Sequence, residues 1–154
     1  MTEPVIVSKA PPDSLFELAT DQWTEPYWQA AREHRLVWPS CTACGTEREM
    51  GAPFCHHCLS QEITWKPLSG RGTLYSYTVV RFPLIEAMND CVPYVPAVIE
   101  LEGAGGHRLI SNVVGAPLDS LRVGSAVDIT WHDRVDGVTV ARFALANNGN
   151  SQKN

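Results

Sequence analysis

The chain has 154 residues, 44% hydrophobic and 19% charged, with a formal net charge of -5. Such a composition supports a real core and excludes disorder along most of the length. The 12 basic residues form no run of three, which argues against a polyanionic partner, and no stretch approaches the roughly 20 consecutive apolar residues of a membrane helix. The opening residues MTEPVIVSKAPPDS lack the basic and apolar regions of a signal peptide, so the expectation is a soluble cytoplasmic protein with no membrane and no nucleic acid as partner.

In chain order, residues 1–12 carry Pro4, Pro11 and Pro12 with little apolar periodicity and read as a flexible arm. Residues 13–37 read as a helical segment. Leu15, Phe16, Leu18, Trp23, Tyr27, Trp28, Ala31 and Leu36 recur at helical spacings, with Thr24 as N-cap and Pro26 in the first turn of a helix running to about His34. The stripe made by Trp23, Tyr27, Trp28 and Ala31 is either core or a face that meets another subunit, where aromatics concentrate.

Residues 38–66 hold the strongest signal. Four of the five cysteines occur as Cys41-Thr-Ala-Cys44 and Cys55-His-His-Cys58. A reducing compartment keeps such thiols free, and two Cys-x2-Cys turns present four sulfurs to one ion. Gly45 eases the first turn, whereas Leu59 occupies the matching place in the second. Four cysteines close the coordination sphere, which predicts structural Zn²⁺ held by Cys41, Cys44, Cys55 and Cys58, with a four-thiolate iron site as the chemical alternative. His56 and His57 are expected to point outward.

From residue 67 the composition turns to strand formers. Residues 71–82, 94–101, 108–114, 125–131 and 138–145 are five β-rich runs punctuated by glycines, with Asp136-Gly137 as a hairpin signal between the last two. Five short strands, with a non-strand piece at 116–122, predict an OB-fold barrel over residues 67–146, an SH3-like barrel being the alternative. Residues 147–154 are polar and read as a disordered tail. The fold class is therefore mainly β, with short N-terminal helices, a zinc ribbon and a C-terminal five-stranded barrel.

The compound order is specific: an aromatic helix ending in His34-Arg35-Leu36, then Cys41-x-x-Cys44-Gly45, Pro53-x-Cys55-x-x-Cys58, Trp65, and Ser69-Gly-Arg-Gly-Thr-Leu-Tyr-Ser-Tyr-Thr-Val-Val80. Over roughly residues 20–145 this resembles the family of acyl-CoA-associated proteins with a rubredoxin-like zinc ribbon followed by an OB-fold, long labelled a domain of unknown function. The resemblance implies a non-catalytic subunit that assembles with thiolases or thiolase-like aldolases acting on steroid acyl-CoA side chains. A two-plus-two heterotetramer would follow from the dimeric symmetry of such partners. Some relatives are fused to a hydratase domain, for which this chain is too short.

The residue chemistry agrees with a non-catalytic role. Cys91 lies beside Asp90, which disfavours a thiolate nucleophile. His132-Asp133 are strand neighbours that point to opposite faces and read as an exposed strand end. His107 reads as a solvated turn residue, and Gly103-Ala104-Gly105-Gly106 as a flexible hairpin tip, since no helix follows to make a phosphate cradle. Arg71, Arg81 and Arg108 could offer guanidinium forks to a CoA phosphate, Arg71 first because it lies in the family-like segment. The loop at 83–96 is long enough to serve as a lid or contact surface. The rival class is a nucleic-acid-binding ribbon and OB protein stacking bases on Tyr75, Tyr77 and Phe82, which the acidic charge opposes.

Overall fold

The structure, a computed structural model, describes residues 4–15 and 17–147. Phe16 and the tail at 148–154 lie outside the described residues. Helix α1 spans Glu25–Arg32. Thr24 stands at its N-cap but makes no side-chain cap. Asp21 does that work instead, its Oδ1 accepting from the Trp23 and Thr24 amides at 2.9 Å each. The helix ends in a Schellman arrangement: the Arg35 amide donates to Ala30 and the His34 amide to Ala31. This puts His34 at φ 55, a position usually held by glycine. Its ring lies parallel to that of Trp131, and Nε2 is 3.0 Å from Asp133. Elsewhere in the expected helical segment, the described residues form a 3-10 turn at Asp13–Leu15, and Leu36 and Val37 open a strand.

Two strands that the sequence reading subsumed within the ribbon follow, β1 at Leu36–Cys41 and β2 at Ile63–Leu68, paired antiparallel as an isolated two-stranded sheet. The other edge of β1 is bridged by residues 46–48, where Pro39 O accepts from the Arg48 amide and Pro39 has no N–H to return. Only Ser69 and Gly70 separate β2 from the barrel, whose strands are β3 (Arg71–Tyr77), β4 (Val95–Leu101), β5 (Arg108–Val113), β6 (Ala126–Asp133) and β7 (Thr139–Leu145). They close in the order β3-β4-β5-β7-β6, with β5 and β7 parallel at Val113 and Phe143. This Greek-key closure is the OB arrangement and removes the SH3-like alternative. The first strand stops at Tyr77 rather than 82, because the ladder gives way to a single bridge between Val80 and Tyr94.

Alternation places the core. Val95, Ala97, Ile99 and Leu101 of β4 face inward with Leu74, Val113, Val127 and Phe143, while Leu121 seals the barrel from the connection after β5. Two glycines permit this closure. A Cβ on Gly72 would meet Glu100 O at 2.7 Å, and one on Gly70 would meet the Ile129 side chain at 2.3 Å.

Three expectations change at the joins. Residues 4–12, expected as a flexible arm, lie along the barrel: Ser8 is buried, its amide donates to Ala116 O, and its Oγ accepts from the Ala116 amide. The Gly103-Ala104-Gly105-Gly106 tip is packed against the ribbon, with Ala104 fully buried and Glu47 beside Gly105. His107 is likewise no solvated turn residue, because its ring lies against Trp38 of β1 and its Nδ1 is 3.0 Å from Glu49. The ribbon and barrel are thus fastened at two places beyond the short joint.

Candidate metal centre

Strand β1 delivers Cys41 at its last residue, and the chain turns back at Cys44. The second turn runs from Cys55 to Cys58 before β2 begins. Both turns close with the same backbone pattern. The Gly45 amide donates to Cys41 O and the Cys41 amide to Thr46 O; the Leu59 amide donates to Cys55 O and the Cys55 amide to Ser60 O. Gly45 takes φ 76 and Leu59 φ 64, so the second turn adopts the left-handed geometry without glycine. That conformation costs a non-glycine residue about 1–2 kcal/mol, and the Leu59 side chain recovers little by burial because it is exposed.

The turns bring the four sulfurs within 4.8 Å of one another. Cys41 and Cys58 are 3.5 Å apart and Cys44 and Cys55 are 3.7 Å apart. Disulfide sulfurs would sit at about 2.05 Å. Four sulfurs each about 2.3 Å from a shared ion would form a tetrahedron with edges of about 3.8 Å, so the donor set fits a tetrahedral thiolate-bound metal. The clustered thiols also shift one another in opposite directions. The hydroxyl and amide of Thr46 hold Cys44 down at about 5. Cys58 is pushed up to about 12, its hydrogen bond with the Ser60 amide outweighed by the sulfurs of Cys41 and Cys44. A divalent ion bound by all four would remove that competition. His56 and His57 are exposed beside the cluster and are not among its donors.

Arg48, which carried no signal in the sequence, underlies the site. It is 1% exposed, with Nη2 donating to Ala52 O at 2.6 Å and Nη1 within 3.5 Å of the carbonyls of Ser60, Gln61 and Glu62. One guanidinium therefore ties both flanks of the second knuckle together.

The other candidates do not converge on a reaction centre. Cys91 is half-buried at the end of the 3-10 turn Glu86–Cys91. His132 and Asp133 do point apart, yet neither is a loose strand end: His132 Nε2 is 2.7 Å from Asp13 and Asp133 holds His34. Arg71 pairs with Glu102 at 3.0 Å in a cleft that also contains Glu100 and Asp128, surroundings unfavourable to a CoA phosphate. Arg108 pairs with Glu100 and covers the ring of Tyr75, and the Tyr77 hydroxyl donates to Leu121 O, so these tyrosines are engaged in packing. Tyr27 is buried in the chain's own core, with Trp28 partly buried against it, and Trp23 is half-buried. Of the two readings of this stripe, core or a face for another subunit, Tyr27 takes the first, and the helix packs on β1 and β7. The most exposed apolar run lies in the loop after β3, where Phe82 and Leu84 are 81% and 83% exposed and Ile85 follows at 52%. Arg81 shares a cleft with Val5 and Ile6 of the N-terminal strap.

A four-thiolate ribbon fused through two residues to an OB barrel defines a narrow class of proteins. Residues 65–132 match the family described as ChsH2, C-terminal OB-fold domain. The chain is 35% identical to a probable enoyl-CoA hydratase alpha subunit of Thermomonospora curvata over 78% of its own length and 36% of that protein. It is 30% identical to a DUF35 domain-containing scaffold protein of Methanothermobacter thermautotrophicus, covering 65% of this chain and 74% of the relative. It is 29% identical to the 3-oxo-4,17-pregnadiene-20-carboxyl-CoA hydratase alpha subunit of Mycobacterium tuberculosis, over 81% of this chain and 39% of that one. The chain thus spans little more than a third of the hydratase alpha subunits it matches. A solved chain of the Ltp2-ChsH2(DUF35) aldolase superposes with a TM-score of 0.75 at 32% identity, over 84% of this chain and 98% of that one. The protein belongs to the DUF35 family.

Proposed function

We propose that this chain is a non-catalytic DUF35 subunit that carries one structural Zn²⁺ and assembles with a thiolase-like enzyme acting on acyl-CoA thioesters, in the setting of steroid side-chain degradation. The observation that carries the reading is its likeness, over nearly the whole of that chain, to the DUF35-containing aldolase. The engaged side chains support a non-catalytic role, since His34, His107, Arg108 and His132 are each committed to an internal carboxylate pair. Cys41, Cys44, Cys55 and Cys58 hold the metal, whose role is to fold the ribbon; four thiolates leave no open position for substrate. The exposed loop with Phe82, Leu84 and Ile85 supplies apolar contact, and the half-buried Trp23 and Trp28 are a second candidate face. Arg71 reaches CoA only if the partner displaces Glu102. A dimeric partner would give a two-plus-two assembly with an interface above about 2,000 Å².

The test is co-expression of the tagged chain with a thiolase-like aldolase of the same organism, followed by size exclusion with light scattering. A stable complex of two copies of each chain is expected, with aldol cleavage of the acyl-CoA dependent on both chains. Leu84→Asp should weaken the complex at least about tenfold by placing an unpaired charge at the contact. Absence of any complex, or turnover by this chain alone, would refute the reading.

A further inference from the structure

Between α1 and the outer face of β5 and β7 lies a cavity of about 450 Å³, in the range of small-molecule sites. Leu18, Tyr27, Trp28, Met50 and Leu109 make its walls apolar. Because Ala141 and Phe143 face the barrel interior, Arg142 between them points outward into this space. Its guanidinium is poorly matched there. Nη1 donates to the neutral Oδ1 of Asn112, while Nε is enclosed with no acceptor within reach. Among the described residues no carboxylate pairs with it, and Asp13, whose field it feels, is already held by His132. Burial accordingly lowers the proton affinity of the group. A partly buried cation whose enclosed Nε has no acceptor and whose one partner is neutral is destabilising unless something anionic completes it. The neighbouring Ser111 hydroxyl donates to Ala141 O, and its oxygen does not reach Arg142 Nε as an acceptor.

We propose that this cleft binds a carboxylate carried on an apolar body, the carboxylate meeting Arg142 and the chain lying along Trp28 and Leu109. An aliphatic tail uses the walls, and an ionised head uses the guanidinium; neither a neutral lipid nor a bare anion satisfies both. The assignment stands on this chain alone and does not depend on the partner proposed above.

Isothermal titration of the full chain at neutral pH compares decanoate, decanol and inorganic phosphate below micellar concentrations. Decanoate should bind at least about tenfold more tightly than either, the worth of one charge-assisted hydrogen bond in a desolvated site. Arg142→Gln should bring decanoate down to the level of decanol. Ala19→Trp, which fills the cleft from its exposed rim, should abolish binding of both while circular dichroism stays unchanged. Should Arg142→Gln fail to fold, the wild-type comparison and the Ala19→Trp chain still decide. Equal affinity for decanoate and decanol, no binding by either, or retained binding in Ala19→Trp overturns the proposal.

Discussion

Cys44 and Cys91 are both free thiols, yet Cys44 has three sulfurs within 4.8 Å and Cys91 belongs to no such cluster among the described residues. Cys44→Ser should therefore lower the metal content of protein purified without added metal from about one ion per chain to a small fraction, and unfold the ribbon. Cys91→Ser should leave both unchanged, with elemental analysis and near-ultraviolet dichroism as the readouts. Thiolate ligation of Zn²⁺ in small modules is worth about 10 kcal/mol, so the contrast should be large. Arg48 poses a different test. Arg48→Ala strips the donor from the carbonyls of Ala52, Ser60, Gln61 and Glu62, and the expected loss is about 3 kcal/mol by denaturant unfolding, with metal still bound at saturating concentration. The difference in legibility between these residues is physical. Two Cys-x2-Cys turns are local and announce their chemistry by spacing alone. Arg48 acts through carbonyls up to 14 residues away, and nothing in its own neighbourhood distinguishes it from a surface arginine.

Strands were legible where alternation met glycine punctuation, as in β4 and in the hairpin of β6 and β7 across Asp136-Gly137. Strands β1 and β2 were not read as separate elements, because each contains a proline, and the burial of β1 does not alternate. The helix was read to about His34, and the left-handed turn at that residue, stacked on Trp131, ends it at Arg32 after eight residues. Gly70 and Gly72 were read as punctuation, whereas Gly72 lies within β3 and is required by packing. A methyl there meets the Glu100 carbonyl, so Gly72→Ala should destabilise the barrel by about 1–3 kcal/mol, whereas Gly106→Ala, with open space around its Cβ, should cost only its backbone strain of about 1 kcal/mol. Thermal unfolding of the two variants side by side tests this.

At the scale of the whole molecule, two carboxylate–histidine pairs clasp the N-terminal segments to the end of β6. The hydrogen bond with His132 holds the Asp13 carboxyl below its usual range, and the bond from His34, with that from Thr139, does the same for Asp133. The folded chain consequently binds fewer protons at these sites than the unfolded chain. Their stabilisation is present above the ordinary carboxylate pKa of 3.8 and is lost as pH falls through the lower folded values. Replacing both with Asn should therefore lower the melting temperature at neutral pH, and flatten its decline between about pH 5 and 3 relative to wild type. An unchanged pH profile in the double variant would refute the clasp.

The two-residue joint at Ser69 and Gly70, with Trp38 against His107 and Glu47 beside Gly105, leaves the knuckles and the barrel little freedom to swivel. A partner that touches both ends would freeze almost no internal motion on binding, and the conformational entropy that flexible two-part binders lose on docking would stay out of the affinity. The same stiffness makes the molecule a spacer of set length: displacing the knuckle end would carry the Phe82 end with it. Lengthening the joint by a few glycines would then weaken association through entropy alone, with every contact residue intact.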